Sequence, residues 1–194
     1  EGKAKILLDD FHKKHPLRNG MSKEELKTKI MPNAKQKISD EIFDHLCSKN
    51  IIRINGQVVS LWDFKIKFTD DQEKIKKLII DLFEKNRYNP PRYAELTEML
   101  KLQEKSLSPV FNALVSSGDL VKVDQDTAFS KAAIETATSL VLNYIKENKS
   151  IQLGEFRDLL GTSRKYAMAI LDYFDQIKIT KRVEDKRILY NSKI

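Results

Sequence analysis

Five consecutive residues, Thr162-Ser163-Arg164-Lys165-Tyr166, put two hydroxyls, two cations and an aromatic ring where a helix is expected to begin. A helix start carries unpaired N–H groups and a partial positive charge, which suit an anion and a phosphate in particular. Arg164 adds a planar fork that can hold a phosphate or a guanine edge. Farther along, Lys181, Arg182, Lys186 and Arg187 gather on two short strand-like segments, with Asp185 among them. Those cations can hold a neighbouring stretch of phosphate backbone, and Asp185 can orient an arginine or accept from a base. The plainer reading is a surface of ion pairs with Asp172, Asp175, Glu184 and Asp185. Tyr166 suits stacking on a base and, equally, a core position at helical spacing with Ile170 and Tyr173.

Other chemistry-bearing residues lead less far. His12 and His15 stand at i and i+3, but no third ligand is near, so a metal site is not expected. Asp9-Asp10 and Asp70-Asp71 read as solvated or helix-capping carboxylates. Cys47 is the single cysteine, which excludes an internal disulfide and reads as a packing residue in a reducing compartment. No nucleophile–base set can be assembled. We therefore expect no enzyme, no metal and no cofactor in this chain.

The elements that must carry the two basic groups recur three times. In residues 1–68, Ala4, Leu7, Leu8 and Phe11 mark a helix ended by His15-Pro16-Leu17. Ser22-Lys23-Glu24-Glu25 reads as a capping box. Ile38, Ile42, Phe43 and Leu46 mark the next helix, and Asn55-Gly56 between β-branched runs predicts a hairpin. In residues 69–130, Thr69-Asp70-Asp71-Gln72 is a second capping box. Asn89-Pro90-Pro91 breaks the helix that follows, Tyr93 to Leu100 is a short helix, and Pro109 belongs in the first turn of the next. In residues 131–194 a long helix precedes a short strand, Ile151-Gln152-Leu153. A short helix stopped by Gly161, a helix capped by Thr162 or Ser163, and a hairpin over 179–190 complete the set. Helix, short strand, helix-turn-helix and hairpin is the winged-helix order. The expected fold class is mainly α with small β-hairpins (α+β), a tandem array of three winged-helix modules. The joints, near Lys67–Thr69 and Ser130–Lys131, hold little Gly, Pro or Ser and read as short and stiff.

Charge separates the modules. Residues 1–68 carry 14 Lys/Arg against 9 Asp/Glu, residues 69–130 carry 9 against 11, and residues 131–194 carry 12 against 8. The middle module is a poor phosphate holder and reads as an acidic spacer. In the first module the lysines are spread along helices; in the last they stand at the helix start and the hairpin. No apolar run reaches the roughly 20 residues a membrane helix needs. The start, Glu1-Gly2-Lys3-Ala4, reads as that of a fragment of a longer protein.

The stretches 156–167, 171–175 and 179–189 resemble the C-terminal end of the bacterial selenocysteine-specific elongation factors. Phe11 to Leu26 resembles an earlier winged helix of that family. The resemblance spans most of the chain, strongly at both ends and weakly in the middle. It implies an N-terminal GTPase part that carries selenocysteyl-tRNA, followed by an arm of four winged helices, of which this chain would be the last three. It further implies that the last module binds an mRNA hairpin, the selenocysteine insertion element, through Thr162, Ser163, Arg164, Lys165 and Tyr166 and, on the wing, Arg182, Asp185, Lys186 and Arg187. GTP, the ribosome and the tRNA would belong to the full-length protein, a cytoplasmic monomer. Two departures stand out. A phosphate-binding loop of the form Gly-x-x-x-x-Gly-Lys-Ser/Thr is missing, and Glu184 stands where the family usually has glycine. Two other functions compete: a DNA-binding regulator, against which Asp172 and Asp175 on the presumptive groove helix argue, and a purely protein-binding assembly module.

Overall fold

The structure, a computed structural model, describes residues 1–191. Its contacts divide the chain into two compact units, Glu1–Glu73 and Lys74 onward. The first unit runs α1 (Gly2–Lys14), β1 (Met21–Ser22), α2 (Lys23–Ile30), α3 (Gln36–Ser48), β2 (Ile52–Asn55) and β3 (Val58–Leu61). β3 lies between β1 and β2, antiparallel to both. Leu8, Leu26, Phe43, Leu46, Ile52 and Val59 form the core that joins helices to sheet. Gly20 permits β1 to dock: a Cβ there would stand 2.1 Å from the Val59 carbonyl oxygen, well inside contact distance.

His12 belongs to this core and not to a metal pair. It is only 6% exposed. Its Nε2 accepts the Leu61 N–H at 3.3 Å, and its ring stacks on Phe64 with centroids 3.4 Å apart. Nδ1 is buried with no partner. Burial holds the imidazole's pKa below its ordinary 6.5, with a smaller push from Arg53 and an opposing pull from Asp9. The unfolded chain therefore takes up a proton near pH 6.5 that the folded unit resists, so stability is complete above that pH and falls as the medium is acidified towards the folded value. The unfolding midpoint should drop from pH 7.5 to pH 5.5, and a His12→Phe variant should lose that pH dependence. Trp62, the only tryptophan, lies in this unit and reports its unfolding by fluorescence. Parallel pH profiles for parent and variant would contradict the assignment.

α4 (Asp70–Asn86) opens with a complete capping box: Thr69 N–H donates to Gln72 Oε1 at 3.0 Å, and Gln72 N–H donates to Thr69 Oγ1 at 3.3 Å. At Ser22 only half a box forms. Ser22 Oγ accepts from Glu25 N, while the Glu25 carboxylate turns to Lys29. The second unit continues with α5 (Tyr93–Leu100), α6 (Glu104–Ser117), β4 (Leu120–Lys122) and β5 (Ala128–Ser130). Pro109 is the sixth residue of α6, beyond the first turn expected for it. The Lys105 carbonyl thereby loses its i+4 donor, and tertiary packing of Leu107, Val110, Phe111 and Leu114 outweighs that cost.

β5 passes directly into α7 (Lys131–Asn148), with Ser130 Oγ capping Ala133 N at 3.2 Å. Then follow β6 (Ile151–Gln152), α8 (Leu153–Leu160), α9 (Arg164–Gln176), β7 (Thr180–Val183) and β8 (Lys186–Leu189). β8 is the middle strand of a sheet ordered β6-β8-β7. Ile151, Phe156, Leu160, Ala167, Ile170, Leu171 and Phe174 pack beneath it against α7. Tyr88, Val123 and Phe129, from the preceding element set, enter the same core. Burying each such large apolar side chain contributes about 1.5–3 kcal/mol.

Candidate nucleic-acid interface

α9 starts where three local constraints coincide. Gly161 takes the left-handed conformation (φ 62°) that ends α8. Thr162 N–H returns to the Arg157 carbonyl. Ser163 then sits extended as N-cap, its Oγ accepting from Tyr166 N at 3.4 Å. Its hydroxyl proton remains available to a ligand, as do the first backbone amides of the helix. Arg164 and Lys165 are exposed at this point. Neither has a carboxylate partner among the described residues; Lys165 Nζ lies 5.6 Å from the centre of the Tyr166 ring.

The wing places a second basic group on the same module. Arg182 is exposed, and its Nε donates to the Glu184 carbonyl at 3.0 Å. Lys181 and Lys186 are half-exposed and without a carboxylate partner among the described residues. Asp185 receives a 3.4 Å hydrogen bond from Gln152 Nε2, which ties the wing turn to β6. Glu184, the first turn residue, adopts φ 55°. The wing turn thus holds a left-handed residue at this place, where a side chain bears a strain that glycine would not. A Glu184→Gly variant should gain about 0.5–1 kcal/mol, read as a higher thermal midpoint; a loss would show that Glu184 stabilises the turn by a contact of its own. The first hairpin solves the same problem differently. Its turn residues are Gly56 and Gln57, shifted by one from the expected Asn55-Gly56, and only Gly56 has positive φ.

Three expected contact residues are engaged inside the protein. Arg187 is 2% exposed. Its Nη2 donates to Asp172 Oδ1 at 2.7 Å and its Nε to Asp175 Oδ2 at 3.3 Å. It is therefore corrected from an RNA-facing cation to an internal one. The Thr162 hydroxyl donates to the Tyr88 carbonyl at 2.5 Å, and the Tyr166 hydroxyl to the Pro90 carbonyl at 2.8 Å. The Tyr166 ring also meets Phe129 edge-on, with centroids 6.0 Å apart. These contacts latch the α9 start to the segment after α4. Tyr166→Phe and Thr162→Val should each cost about 1 kcal/mol, the net worth of a typical hydrogen bond. Calorimetry of the second unit reads that loss. A variant as stable as the parent would show that the latch bond has no net value.

The acids that argued against a groove-binding helix are thus largely occupied: Asp172 and Asp175 face Arg187, and Asp175 also accepts from Thr180 Oγ1 at 2.6 Å. Among the described residues no group of three or more His, Cys, Asp or Glu could hold a metal, and no helix is long and apolar enough to cross a membrane.

A winged helix with cations that lack a carboxylate partner among the described residues at both its helix start and its wing defines a class: the winged-helix module with a basic helix start and a basic wing. Known proteins then narrow it. Two family models, each described as "Elongation factor SelB, winged helix", match residues 7–61 and 143–189, together just over half of the chain. The selenocysteine-specific elongation factor of Desulfomicrobium baculatum is 26% identical over 180 residues, 93% of this chain and 28% of its own length. That of Escherichia coli is 24% identical over 187 residues, 95% of this chain and 30% of its own. The mRNA-binding domain of Escherichia coli elongation factor SelB, solved in complex with SECIS RNA, aligns with TM-score 0.53 and 23% identity. That match covers 63% of this chain and 98% of that domain, and supports the fold. The chain belongs to the winged-helix region of the elongation factor SelB family and spans under a third of the length of these curated relatives.

Proposed function

We propose that this chain is the mRNA-binding arm of a selenocysteine-specific elongation factor, and that its last winged helix grips an RNA hairpin of the selenocysteine insertion type. The observation that carries this reading is the pairing on one module of two basic groups without a carboxylate partner among the described residues, Arg164 and Lys165 at the α9 start and Lys181, Arg182 and Lys186 on the wing. The Arg164 fork and the α9 amides would hold one stretch of backbone phosphates, and the wing cations an adjacent one. Ser163 would donate its hydroxyl proton to a phosphate oxygen. A hairpin offers what such a module can use: phosphates folded close together and bases free of the narrow A-form major groove. Asp185, held by Gln152, would accept from a base at the wing turn. That the Escherichia coli SelB domain was solved with SECIS RNA supports this choice over duplex DNA.

The arm itself would carry out no catalysis. GTP hydrolysis, delivery of selenocysteyl-tRNA and ribosome contact would belong to the rest of a cytoplasmic, monomeric factor. The test is a titration of the whole chain against a labelled selenocysteine insertion hairpin and a matched DNA duplex, across a salt series. The hairpin should bind at least about tenfold more tightly, a difference of about 1.4 kcal/mol. Its log–log salt slope should be about −3 to −5, reflecting several released counterions. Equal binding of the duplex would turn the assignment towards DNA. Binding of neither would turn it towards protein assembly.

A further inference from the structure

We propose that the buried Arg187 is a positioning residue for the RNA grip: with Asp172 and Asp175 it pre-sets the distance between the wing cations and the α9 cations. The proposal rests on the RNA-binding reading above. Arg187 lies on β8, the middle strand of its sheet, directly opposite Arg182 on β7. Like charges at opposed positions of a strand pair repel. Here Arg187 is drawn inward and met by two carboxylates from α9, while Arg182 stays exposed. Met168 Sδ, also on α9, stands 3.7 Å from Nη2. Thr180, the first residue of β7, bonds Asp175 as well. Both wing strands are therefore tied by directional bonds to the helix whose first residues are Arg164 and Lys165.

Apolar packing could fill the same volume, and buried ion pairs often stabilise no more than well-packed apolar residues do. What a bonded triad supplies is a fixed geometry. A wing so held keeps its cations at one separation from the α9 start before any ligand arrives, which lowers the ordering cost of binding.

The test replaces the triad without leaving a charge stranded: Arg187→Met with Asp172→Asn and Asp175→Asn, in the whole chain. Asn at 175 can still accept from Thr180. The variant is one unit more positive than the parent, so charge alone predicts equal or tighter binding. Positioning predicts at least a tenfold weaker hairpin affinity, with helix content unchanged and most of the parent's thermal stability retained. Equal affinity overturns the proposal and leaves the RNA reading intact, whereas a parent that fails to bind the hairpin overturns both. A second measurement needs no variant. Amide ¹⁵N relaxation over residues 180–189 of the parent should give the same order parameters with and without the hairpin. A wing that becomes ordered only on binding overturns the proposal.

Discussion

Arg187→Ala is expected to cost the second unit about 3–5 kcal/mol, the usual result of removing one partner of a buried charge pair. The loss has three parts. Asp175, only 23% exposed, keeps its charge without its counterion. Asp172 suffers less, being 53% exposed and able to turn to water. The space of a side chain that fills the interior beside α9 is left empty, with a further cavity cost. Calorimetry or far-UV circular dichroism must read this, because Trp62 lies in the other unit. The triple replacement of the triad should restore most of the stability. A single variant as stable as the parent would mean that the buried pair has no net value, and the structural argument built on it would fail.

The second large effect concerns binding and leaves the fold alone. Arg164→Glu with Lys165→Glu should weaken hairpin binding by at least about a hundredfold at 0.1 M salt, or about 2.7 kcal/mol. The difference should shrink at high salt as the phosphate field is screened. Stability should hold or rise by about 0.3–1 kcal/mol, because acids in the first turn of a helix oppose its positive end favourably. Both residues are exposed, and neither has a carboxylate partner among the described residues, so no ion pair is lost and the Lys165 contact with the Tyr166 ring is the one given up. Binding falls while stability does not, which separates this pair from Thr162 and Tyr166. Those two variants should lower stability and leave hairpin affinity within about twofold, since their hydroxyls are already engaged. Preserved affinity in the charge-reversed variant would remove the α9 start from the interface.

How much of this was legible in the residue order can be traced position by position. The 3.6-residue stripes of α4 and α9 and the capping box at Thr69 act locally, so they could be read before the fold was known. So could Gly161 as a helix stop and the basic pairs at Arg164-Lys165 and Lys181-Arg182. The internal use of Arg187 could not. Asp172 and Asp175 stand at i and i+3, so one helix face carries both. Which cation that face meets depends on the register of β8 against α9, a tertiary fact. The spacing of the two acids was the available signal, and it read equally well as a surface network. The latch from Thr162 and Tyr166 to the Tyr88–Pro90 segment joins residues more than 70 positions apart and left no local trace. Pro109 fell one turn later than its preference because core packing outweighs a single lost hydrogen bond.

The central claim is that the last winged helix holds RNA between its α9 start and its wing. The most direct measurement is an amide chemical-shift map of the isotope-labelled 194-residue chain titrated with the selenocysteine insertion hairpin. The account predicts the largest shifts at 163–165 and 181–186, with little change across residues 1–73 or α5 and α6. Dominant shifts in the first unit or in the acidic middle set, with 163–165 and 181–186 unmoved, would contradict it.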